Sequence, residues 1–255
     1  MSIAHTLLTC AEFVTRREIH AIPRPRIRFP VHPKAVTTGQ GMRIYADLVD
    51  AFCNFRPKNI FEIGANYGQD AEYLRRYFSL TPQVVFAFEP HPQIAPEIAK
   101  YYSFNVHDFA VSNSDGQATF NIVDVNAPNE WNTGISSLRT SLYSGPERRA
   151  ITVKTRRMDS FIDEQNIAEL DFVKIDVEGV NYEVLEGFGE RLALVKAIQV
   201  EGELKACWEG QHLFADIDAL LRKHDFMMAH YTLSWESIQC DSLWVQRRYL
   251  KGVSG

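Results

Sequence analysis

Apolar runs and amphipathic runs alternate along most of this chain. Short runs rich in Val, Ile and Phe predict strands at residues 59–63, 84–88, 104–107, 171–176 and 196–201. Helical spacing of apolar residues predicts helices at 41–53, 68–78, 93–101, 180–187 and 213–224. Such alternation indicates an α/β protein with a mainly parallel sheet and helices on both faces.

The C-terminal part departs from this alternation. The runs "FMMAHYTL" and "SLWVQRR" both have strand character, and no helical pattern separates them. Two strands joined without a crossover helix pair antiparallel. We therefore expect the last strand of the sheet to run antiparallel to its neighbours.

A second departure is an insertion before residue 158. The runs "QATFNIV" and "AITVKTRR" flank a long polar loop, which predicts a β-hairpin arm with that loop at its tip. Loops of this length in a compact domain are usually lids, binding surfaces or disordered segments. The loop carries Trp131, Ser136 and Ser137, which favours a surface that contacts substrate.

The N-terminal part has a different composition. The segment "AIPRPRIRFPVHPK" contains four prolines, which stop a helix and favour an extended connector. A chain of 255 residues with 45% hydrophobic residues can bury one sizeable core. We expect an extension and connector at residues 1–38 and one domain at 39–255.

Charge and cysteine content narrow the partners and the compartment. A net charge of −5 gives no overall attraction to a phosphate backbone, so nucleic acid is an improbable partner. No apolar run approaches the ~20 residues that span a bilayer. Cys10, Cys53, Cys207 and Cys240 show neither a CxxC motif nor a disulfide framework, which favours reduced thiols and a cytoplasmic protein.

The stretch "NIFEIGANYGQ" predicts a binding site. Gly64 permits a sharp turn after the first strand, and Gly68 lets a ligand approach the backbone because neither residue carries a Cβ. In a doubly wound sheet this turn lies at the switch point, where ligands bind. The helix that follows offers free N–H groups to an anionic group. These features predict a nucleoside-like cofactor that bears an anionic group.

The spacing of polar residues selects among such cofactors. The G-x-G-x-x-G pattern of dinucleotide sites is absent here, whereas Glu89 follows Gly68 by 21 residues, at the end of the next strand. A carboxylate there can accept both ribose hydroxyls, and Asp108 can meet an adenine amino group. The set fits S-adenosylmethionine. The alternative is a glycine turn without a ligand, beside a solvated Glu89.

Several motifs together resemble the FkbM family of S-adenosylmethionine-dependent methyltransferases. They are "FEIGANYGQ", "FAFEPHPQ", "FAVSNSDGQATF", "GISSL", "MDSFI" and "LDFVKIDVEGVNYEVLEGF", in the order of the family, over roughly residues 55–248. The resemblance implies a class I methyltransferase (Rossmann-like) fold, whose seven-stranded sheet ends in an antiparallel strand. It also implies methylation of oxygen, often on sugar hydroxyls of glycans or on polyketide hydroxyls.

The resemblance also suggests which residues hold the cofactor. We expect them to be Glu62, Gly64, Ala65, Asn66, Gly68, Glu89, Pro90, Asp108, Phe109 and Asp176. The chain departs from the family pattern at Asn181, where members commonly carry Glu. That departure affects the prediction of which acceptor is used more than the prediction of cofactor binding.

The stretch "DFVKIDVEG" is the candidate catalytic element. If residues 171–176 form a strand, its period of two puts Lys174 and Asp176 on one face. Methyl transfer to a hydroxyl needs a group that removes the proton as the bond forms. Asp176 could accept it, with Glu178 in the following turn; Lys174 could be the base or could orient Asp176. The alternative is a buried Lys174–Asp176 pair that is purely structural.

The same edge of the sheet raises the question of a metal. Asp176, Glu178, Glu201 and Glu203 supply carboxylate oxygens at the ends of adjacent predicted strands, and Mg²⁺ prefers such ligands. Asp176 and Glu201 are the candidate ligands, and Glu201 is also a candidate substrate contact. Acidic residues at strand ends are often only solvated or paired, so metal dependence is an alternative rather than the favoured interpretation.

The sequence therefore favours an O-methyltransferase that acts on a small-molecule or glycan hydroxyl. Two other classes remain open at this point. A nucleic-acid methyltransferase would use the basic residues from Arg16 to Arg28 for phosphate contacts. A noncatalytic module would keep the fold as an interaction surface, although Glu89 and "KIDVEG" argue against it.

Overall fold

The computed structural model describes residues 30–35, 37–125, 133–233 and 238–252. Strands and helices alternate through most of this part of the chain. The strands are β1 (Ile60–Ile63), β2 (Val85–Phe88), β3 (Asn105–His107), β4 (Ala110–Val111), β5 (Gly116–Val123), β6 (Arg148–Arg156), β7 (Leu170–Ile175), β8 (Val195–Glu203), β9 (Phe226–Leu233) and β10 (Gln239–Gln246). The helices are α1 (Arg43–Phe52), α2 (Gln69–Tyr77), α3 (Ala95–Tyr102), α4 (Met158–Gln165), α5 (Asn181–Glu186) and α6 (Phe214–Lys223).

Seven strands form the main sheet, in the order β3-β2-β1-β7-β8-β10-β9. The first five of these are parallel to their neighbours. Strand β10 inserts between β8 and β9 and pairs antiparallel with both. The expected α/β fold, a mainly parallel seven-stranded sheet with an antiparallel last strand, is therefore confirmed.

The two faces of the sheet are covered by separate hydrophobic clusters. Successive residues of β1 divide between them: Ile60 packs with α1, α2 and α3, and Phe61 packs with α4, α5 and α6. Both side chains are completely buried. The period of two thus sends alternate residues of a central strand to opposite cores, as a sheet covered on both faces requires.

The predicted arm is present and contains one strand more than expected. Strands β5 and β6 pair antiparallel from Gly116↔Thr155 to Val123↔Arg148. The two residues of β4 join them as a parallel third strand. A run of two residues is too short for a sequence pattern to reveal. The arm is therefore a small separate sheet rather than a free hairpin.

Helix α4 was not predicted from the sequence. It lies between β6 and β7 and buries Met158, Phe161 and Ile162, which have the i, i+3, i+4 spacing of a helical face. Its eight residues give two turns, too few for a distinct periodic signal. Strand β7 also ends one residue earlier than predicted, at Ile175, so Asp176 is the first residue of the following turn.

The described end of the proline-rich connector packs against the domain. The backbone N–H of His32 donates to the Tyr102 hydroxyl at 2.8 Å, and its ring stacks on Tyr67 at 4.7 Å. The Tyr101 hydroxyl donates to the carbonyl of Val31. The basic cluster from Arg16 to Arg28 lies outside the described residues. Among the described helices, none has the length and apolar composition that a membrane crossing needs.

We expect Gly64→Ala to destabilise the fold. A Cβ on Gly64 would lie 1.9 Å from the carbonyl oxygen of Asp176, and the residue has a φ of +80°. Both effects disfavour any side chain, so the free energy of unfolding in urea should fall by about 3 kcal/mol or more. Gly41→Ala is the matched control, because a Cβ there meets nothing within 4 Å. Similar stability of the two variants would contradict this prediction.

Candidate active site

A cleft of ≈ 950 Å³, including space open to solvent, lies at the carboxyl ends of β1, β2 and β7. The turn after β1 and the end of β2 form one wall, and Asp176–Val180 forms the opposite wall. Residues from Thr133 to Leu138 of the arm and Thr37 of the connector complete it. A cleft of this size at the switch point of an α/β sheet suits a nucleoside-sized ligand and a small acceptor.

The turn after β1 has the backbone that its glycines were expected to allow. Gly64 and Gly68 have φ values of +80° and +71°, and Asn66 is also left-handed at +44°. Gly68 is the N-cap of α2; its own N–H donates to the carbonyl of Ala65 at 2.7 Å and the N–H of Ala71 donates to Glu62, which leaves the N–H groups of Gln69 and Asp70 at the start of the helix for a ligand. Gly64, Ala65 and Asn66 line the cleft.

Glu89 is buried at the end of β2 and is held by the backbone. Its Oε2 accepts the N–H of Asn66 and its Oε1 accepts the N–H of His91, both at 2.8 Å. Burial raises the pKa of Glu89 to about 7, although these two N–H donors lower it. Glu89 and Pro90 line the cleft. The carboxylate is therefore fixed in direction before any ligand arrives.

Three predicted cofactor residues do not line the cleft: Glu62, Asp108 and Gly68, where a Cβ would meet Ile98 and Tyr102 of α3. Glu62 is buried beneath the turn, where its Oε2 accepts the N–H of Ala71, and it is not among the residues that line the cleft. Asp108 is exposed and lies outside the lining as well. Phe109 does line the cleft and packs on Phe88 at 5.6 Å. An apolar contact for a purine ring is thus present, whereas contact with Asp108 stays a prediction.

Lys174 is the buried cation of the site, and three carboxylates surround its Nζ. Asp176 and Asp70 each approach to 3.1 Å, and Glu62 approaches to 3.7 Å. Burial disfavours the charged amine, but these carboxylates outweigh burial and raise the pKa of Lys174 well above its usual value. Lys174 is thus held protonated. This favours an orienting role over the alternative in which it acts as a base.

Glu62 has the deepest position of the three partners. Burial raises the pKa of Glu62 to about 8, even though Lys174 lowers it. Asp176 and Asp70, which are closer, already neutralise the single ammonium charge. The third carboxyl is therefore held as a neutral hydrogen-bonding group at neutral pH.

Asp176 is the accessible partner of Lys174. Its side chain is 36% exposed, against 5% for Lys174, and it lines the cleft. One carboxylate oxygen of Asp176 lies within 4.8 Å of an oxygen of Glu178 and of Glu201, and these latter two oxygens are equally close to each other. Of the candidate catalytic residues, the structure brings Lys174, Asp176 and Glu178 to the same end of β7.

The carboxylates around Asp176 raise one another's pKa values. Burial, Asp176 and Glu203 raise the pKa of Glu178 to about 8. Burial, Asp176 and Glu178 raise the pKa of Glu201 well above its usual value. Burial and then Asp176 raise the pKa of Asp241 to about 6. Carboxyl groups therefore outnumber cations around Asp176, and the cluster favours a proton, a cation or a hydrogen-bond donor; Glu178 lines the cleft, whereas Glu201 and Asp241 do not.

Sequence reasoning missed three residues of this site. Asp241 faces Glu201 across the β8–β10 pair, and Asp70 lies on α2 beside Lys174. Gln69 lines the cleft, and its buried Oε1 has no partner among the described residues. Of these three, only Gln69 could have been identified from the sequence, because it directly follows Gly68 in the motif. The other two positions depend on strand pairing and helix packing that the sequence alone does not show.

The two serines of the arm hold the arm itself in place. The Ser136 hydroxyl donates to the carbonyl of Thr133 and accepts the N–H of Val123. The Ser137 hydroxyl donates to the carbonyl of Glu178 at 2.6 Å. Both hydroxyls are occupied by main-chain partners, so a direct contact with an acceptor finds no support here. Trp131, the third predicted substrate residue, lies outside the described residues.

The arm spans the cleft from one wall to the other. On one side of the cleft, the Thr133 hydroxyl donates to Oδ1 of Asn66, in the turn after β1, at 3.0 Å. Ser137 holds the opposite wall through the Glu178 carbonyl. Asn181, where family members commonly carry Glu, uses its Oδ1 to accept the N–H of Val177. It therefore shapes the turn that carries Asp176 and Glu178.

Comparison with known proteins identifies the family. The family model described as "Methyltransferase FkbM domain" matches residues 62–228, from the buried Glu62 to strand β9. This chain belongs to the FkbM methyltransferase family. The matched range includes the glycine turn, Glu89, the arm and the Lys174–Asp176 wall. The expected resemblance is therefore confirmed.

Individual relatives of this FkbM-family chain are distant. The 2-O-methyltransferase NoeI of Sinorhizobium fredii (strain NBRC 101917 / NGR234) is 28% identical over 167 residues, which are 60% of this chain and 66% of that protein. The methyltransferase FkbM of Methylobacillus flagellatus KT is 14% identical, with a TM-score of 0.47 over 74% of this chain and 44% of that one. Magnesium protoporphyrin IX methyltransferase (ChlM) of Synechocystis PCC 6803, solved with bound SAM, is 12% identical, with a TM-score of 0.42 over 96% of this chain and 98% of that one.

Proposed function

We propose that this FkbM-family chain transfers a methyl group from S-adenosylmethionine to a hydroxyl oxygen of a sugar. The observation that carries the proposal is the position of Asp176. Asp176 and Asp70 both line the cleft, and Asp176 is the more exposed of these two partners of Lys174, at 36% against 15%. A proton acceptor of this kind is what attack by a hydroxyl requires.

The cofactor wall fits S-adenosylmethionine. Glu89 is fixed by two N–H donors and keeps lone pairs for two ribose hydroxyls. The N–H groups of Gln69 and Asp70, at the start of α2, suit the carboxylate of the methionine part. Phe109 supplies an apolar contact for the adenine, and the unpartnered Oε1 of Gln69 can accept from an ammonium group. When bound, this cofactor supplies an electrophilic methyl group on a sulfonium.

The opposite wall would orient the acceptor and take its proton. Lys174 holds one oxygen of Asp176 at 3.1 Å and stays charged, which fixes the direction of the carboxylate. Asp176 then accepts the proton of the hydroxyl as the new bond forms. Glu178 and Glu201 lie beside it as raised-pKa carboxyls that can donate or accept hydrogen bonds to neighbouring hydroxyls. A polyhydroxylated acceptor matches this density of oxygen partners.

Two arguments support oxygen, and a sugar, as the target. The FkbM relative NoeI is named a 2-O-methyltransferase. A wall of carboxyl groups makes many hydrogen bonds to hydroxyls, and in this chain it lies opposite the glycine turn.

A divalent cation is the second candidate component of this wall. Asp176, Glu178 and Glu201 each offer an oxygen within 4.8 Å of the others, and hard cations such as Mg²⁺ take carboxylate oxygens. Residues Asp176 and Glu201 would be its principal ligands. When bound, such a cation lowers the pKa of an alcohol that it contacts and orients it.

The cofactor assignment predicts a pH dependence of binding that belongs to Glu89. The ionised carboxylate accepts two hydroxyl hydrogen bonds, so affinity for S-adenosylmethionine should weaken as the pH falls through about 7, the pKa of Glu89. Glu89→Gln should bind roughly tenfold to a hundredfold more weakly at pH 8 and lose this dependence. Calorimetry at pH 6, 7 and 8 on both proteins measures it. At each pH the affinity of the wild type is divided by that of Glu89→Gln, so that any titration of the ligand itself cancels. If this ratio of affinities stayed constant between pH 6 and 8, the assignment would be contradicted.

The proton-acceptor role predicts the behaviour of Asp176→Asn. The amide keeps the shape but cannot take the proton, so turnover with labelled S-adenosylmethionine should fall about 10²–10⁴-fold while cofactor binding persists. Asp70→Asn is the matched control, because Asp70 approaches Lys174 at the same 3.1 Å. Equal losses in the two variants would show that Lys174 pairing matters rather than proton transfer. Label found on nitrogen or carbon of the product would refute oxygen methylation.

The cation has its own test. If it takes part, dialysis against a chelator should abolish turnover, Mg²⁺ should restore it, and Glu201→Gln should raise the Mg²⁺ concentration needed for half-maximal activity. Glu209→Gln, on the exposed loop nearby, should leave that concentration unchanged. Full turnover in chelator would remove the cation from the mechanism and leave the Asp176 proposal intact.

A further inference from the structure

Among the described residues, Arg148 is a half-buried arginine of the arm that forms no ion pair; its exposed neighbour Arg149 forms none either, whereas the other arginines nearby do. Arg139 pairs with Glu183, Arg156 with Glu164 and Arg157 with Asp159. Arg148, the first residue of β6, is half-buried, and its buried Nε has no hydrogen-bond partner among the described residues. A guanidinium that is partly removed from water and lacks a partner is costly unless something else supplies the partner.

Arg148 is held beside the acceptor wall by a tryptophan. Its guanidinium lies over the Trp208 ring, 5.4 Å from the ring centroid. Trp208 is 4% exposed and packs on the turn after β7: a Cβ on Gly179 would lie 2.5 Å from its ring. An arginine that stacks on a buried ring loses freedom without losing its hydrogen-bond donors.

The loop before β6 fixes the same arrangement from the other side. Ser141 forms an isolated bridge with Trp208, and the N–H of Leu142 donates to the carbonyl of Cys207 at 2.9 Å. The carboxyl that acts on Arg148 is Glu178, which lines the cleft. Arg148 and Trp208 do not themselves line the cleft; through Trp208, which packs against Gly179, the guanidinium lies beside the turn that carries Asp176 and Glu178.

We propose that Arg148 binds an oxyanion of the acceptor, such as the carboxylate of a uronic acid or a phosphate group. The proposal rests on the proposed function, because it describes which hydroxyl compound that site takes. Guanidinium groups bind carboxylate and phosphate through paired N–H donors. Arg148 thereby selects acidic sugars over neutral ones.

The charges around Arg148 also give the bound acceptor a direction. Asp176 and Glu178 line the cleft, and the carboxylate of Asp176 repels an anion there. Arg148, over Trp208, attracts the anion to the outer side of the same turn. A sugar with one acidic group therefore binds with that group outward and a neutral hydroxyl inward, towards Asp176.

A structural role for Arg148 makes a different prediction. If Arg148 only stacks on Trp208 and offsets the charge of Glu178, its loss should affect every acceptor alike and should lower the melting temperature. If it binds an oxyanion, its loss should affect only acidic ligands. The two roles are separated by ligands that differ in one group.

The experiment compares 4-nitrophenyl β-glucuronide with 4-nitrophenyl β-glucoside, which differ by a carboxylate in place of a hydroxymethyl group. Binding to the full chain is measured by calorimetry or by ligand-observed NMR, with and without S-adenosylmethionine. Arg148→Met keeps the apolar stem over Trp208, and Arg149→Met is the matched control because Arg149 is exposed on the next residue of β6. The 6-phosphate of the glucoside, as a third ligand, distinguishes a phosphate preference from a carboxylate preference.

The wild type should bind at least one acidic ligand about tenfold or more tightly than the glucoside, and higher salt should narrow this difference. Arg148→Met should abolish the preference, with unchanged affinity for the glucoside and for S-adenosylmethionine, whereas Arg149→Met should keep it. Equal affinity for all three ligands, no detectable binding of an acidic ligand at millimolar concentration, or the same loss in both variants would overturn the proposal. An Arg148-dependent preference without methyl transfer would support this subsite and count against the proposed function instead.

Discussion

The ammonium of Lys174 is the interaction on which the rest of the site depends. It is 5% exposed and is shared by Glu62 of β1, Asp70 of α2 and Asp176 after β7. Burying such a charge costs free energy, and the attraction of its partners offsets that cost only when all of them stay in place. Removing Lys174 would leave adjacent carboxylates without a cation. Lys174 thus links three elements through ion pairs: β1, α2 and the turn after β7. The position of Asp176 therefore depends on β1 and α2 as well as on its own turn.

The two walls of the cleft differ in how their polar groups are balanced. On the cofactor wall, backbone N–H groups satisfy Glu89 from two sides, so its direction is set by the chain itself. On the acceptor wall, Glu178 and Glu201 face Asp176 with too few donors, and their pKa values rise as a result. The hydrogen bonds of Glu89 are thus set within the chain, whereas Glu178 and Glu201 keep hydrogen-bonding capacity for a further partner.

Much of this arrangement could be predicted from the sequence, because it depends on local patterns. The glycine turn, Glu89 at a strand end and Lys174 two residues before Asp176 are all set by period and spacing. The rest depends on which elements meet in space. The motif predicted that Glu62 contacts the cofactor, but in the structure its carboxyl is buried and lies 3.7 Å from Nζ of Lys174. Ser137 was predicted to contact the substrate, but its hydroxyl donates a hydrogen bond to the carbonyl of Glu178. Nothing in the sequence alone brings Asp241 opposite Glu201.

The close approach of Gly64 to the carbonyl of Asp176 has a consequence for how this enzyme family can diversify. The turns after β1 and β7 touch through their backbones, so neither can be lengthened or moved without disturbing the other. The arm is different, because it reaches the cleft through hydroxyl contacts at Thr133 and Ser137 and has its own small sheet. The arm is therefore the part of the cleft that substitutions can remodel with the least disturbance of these two turns.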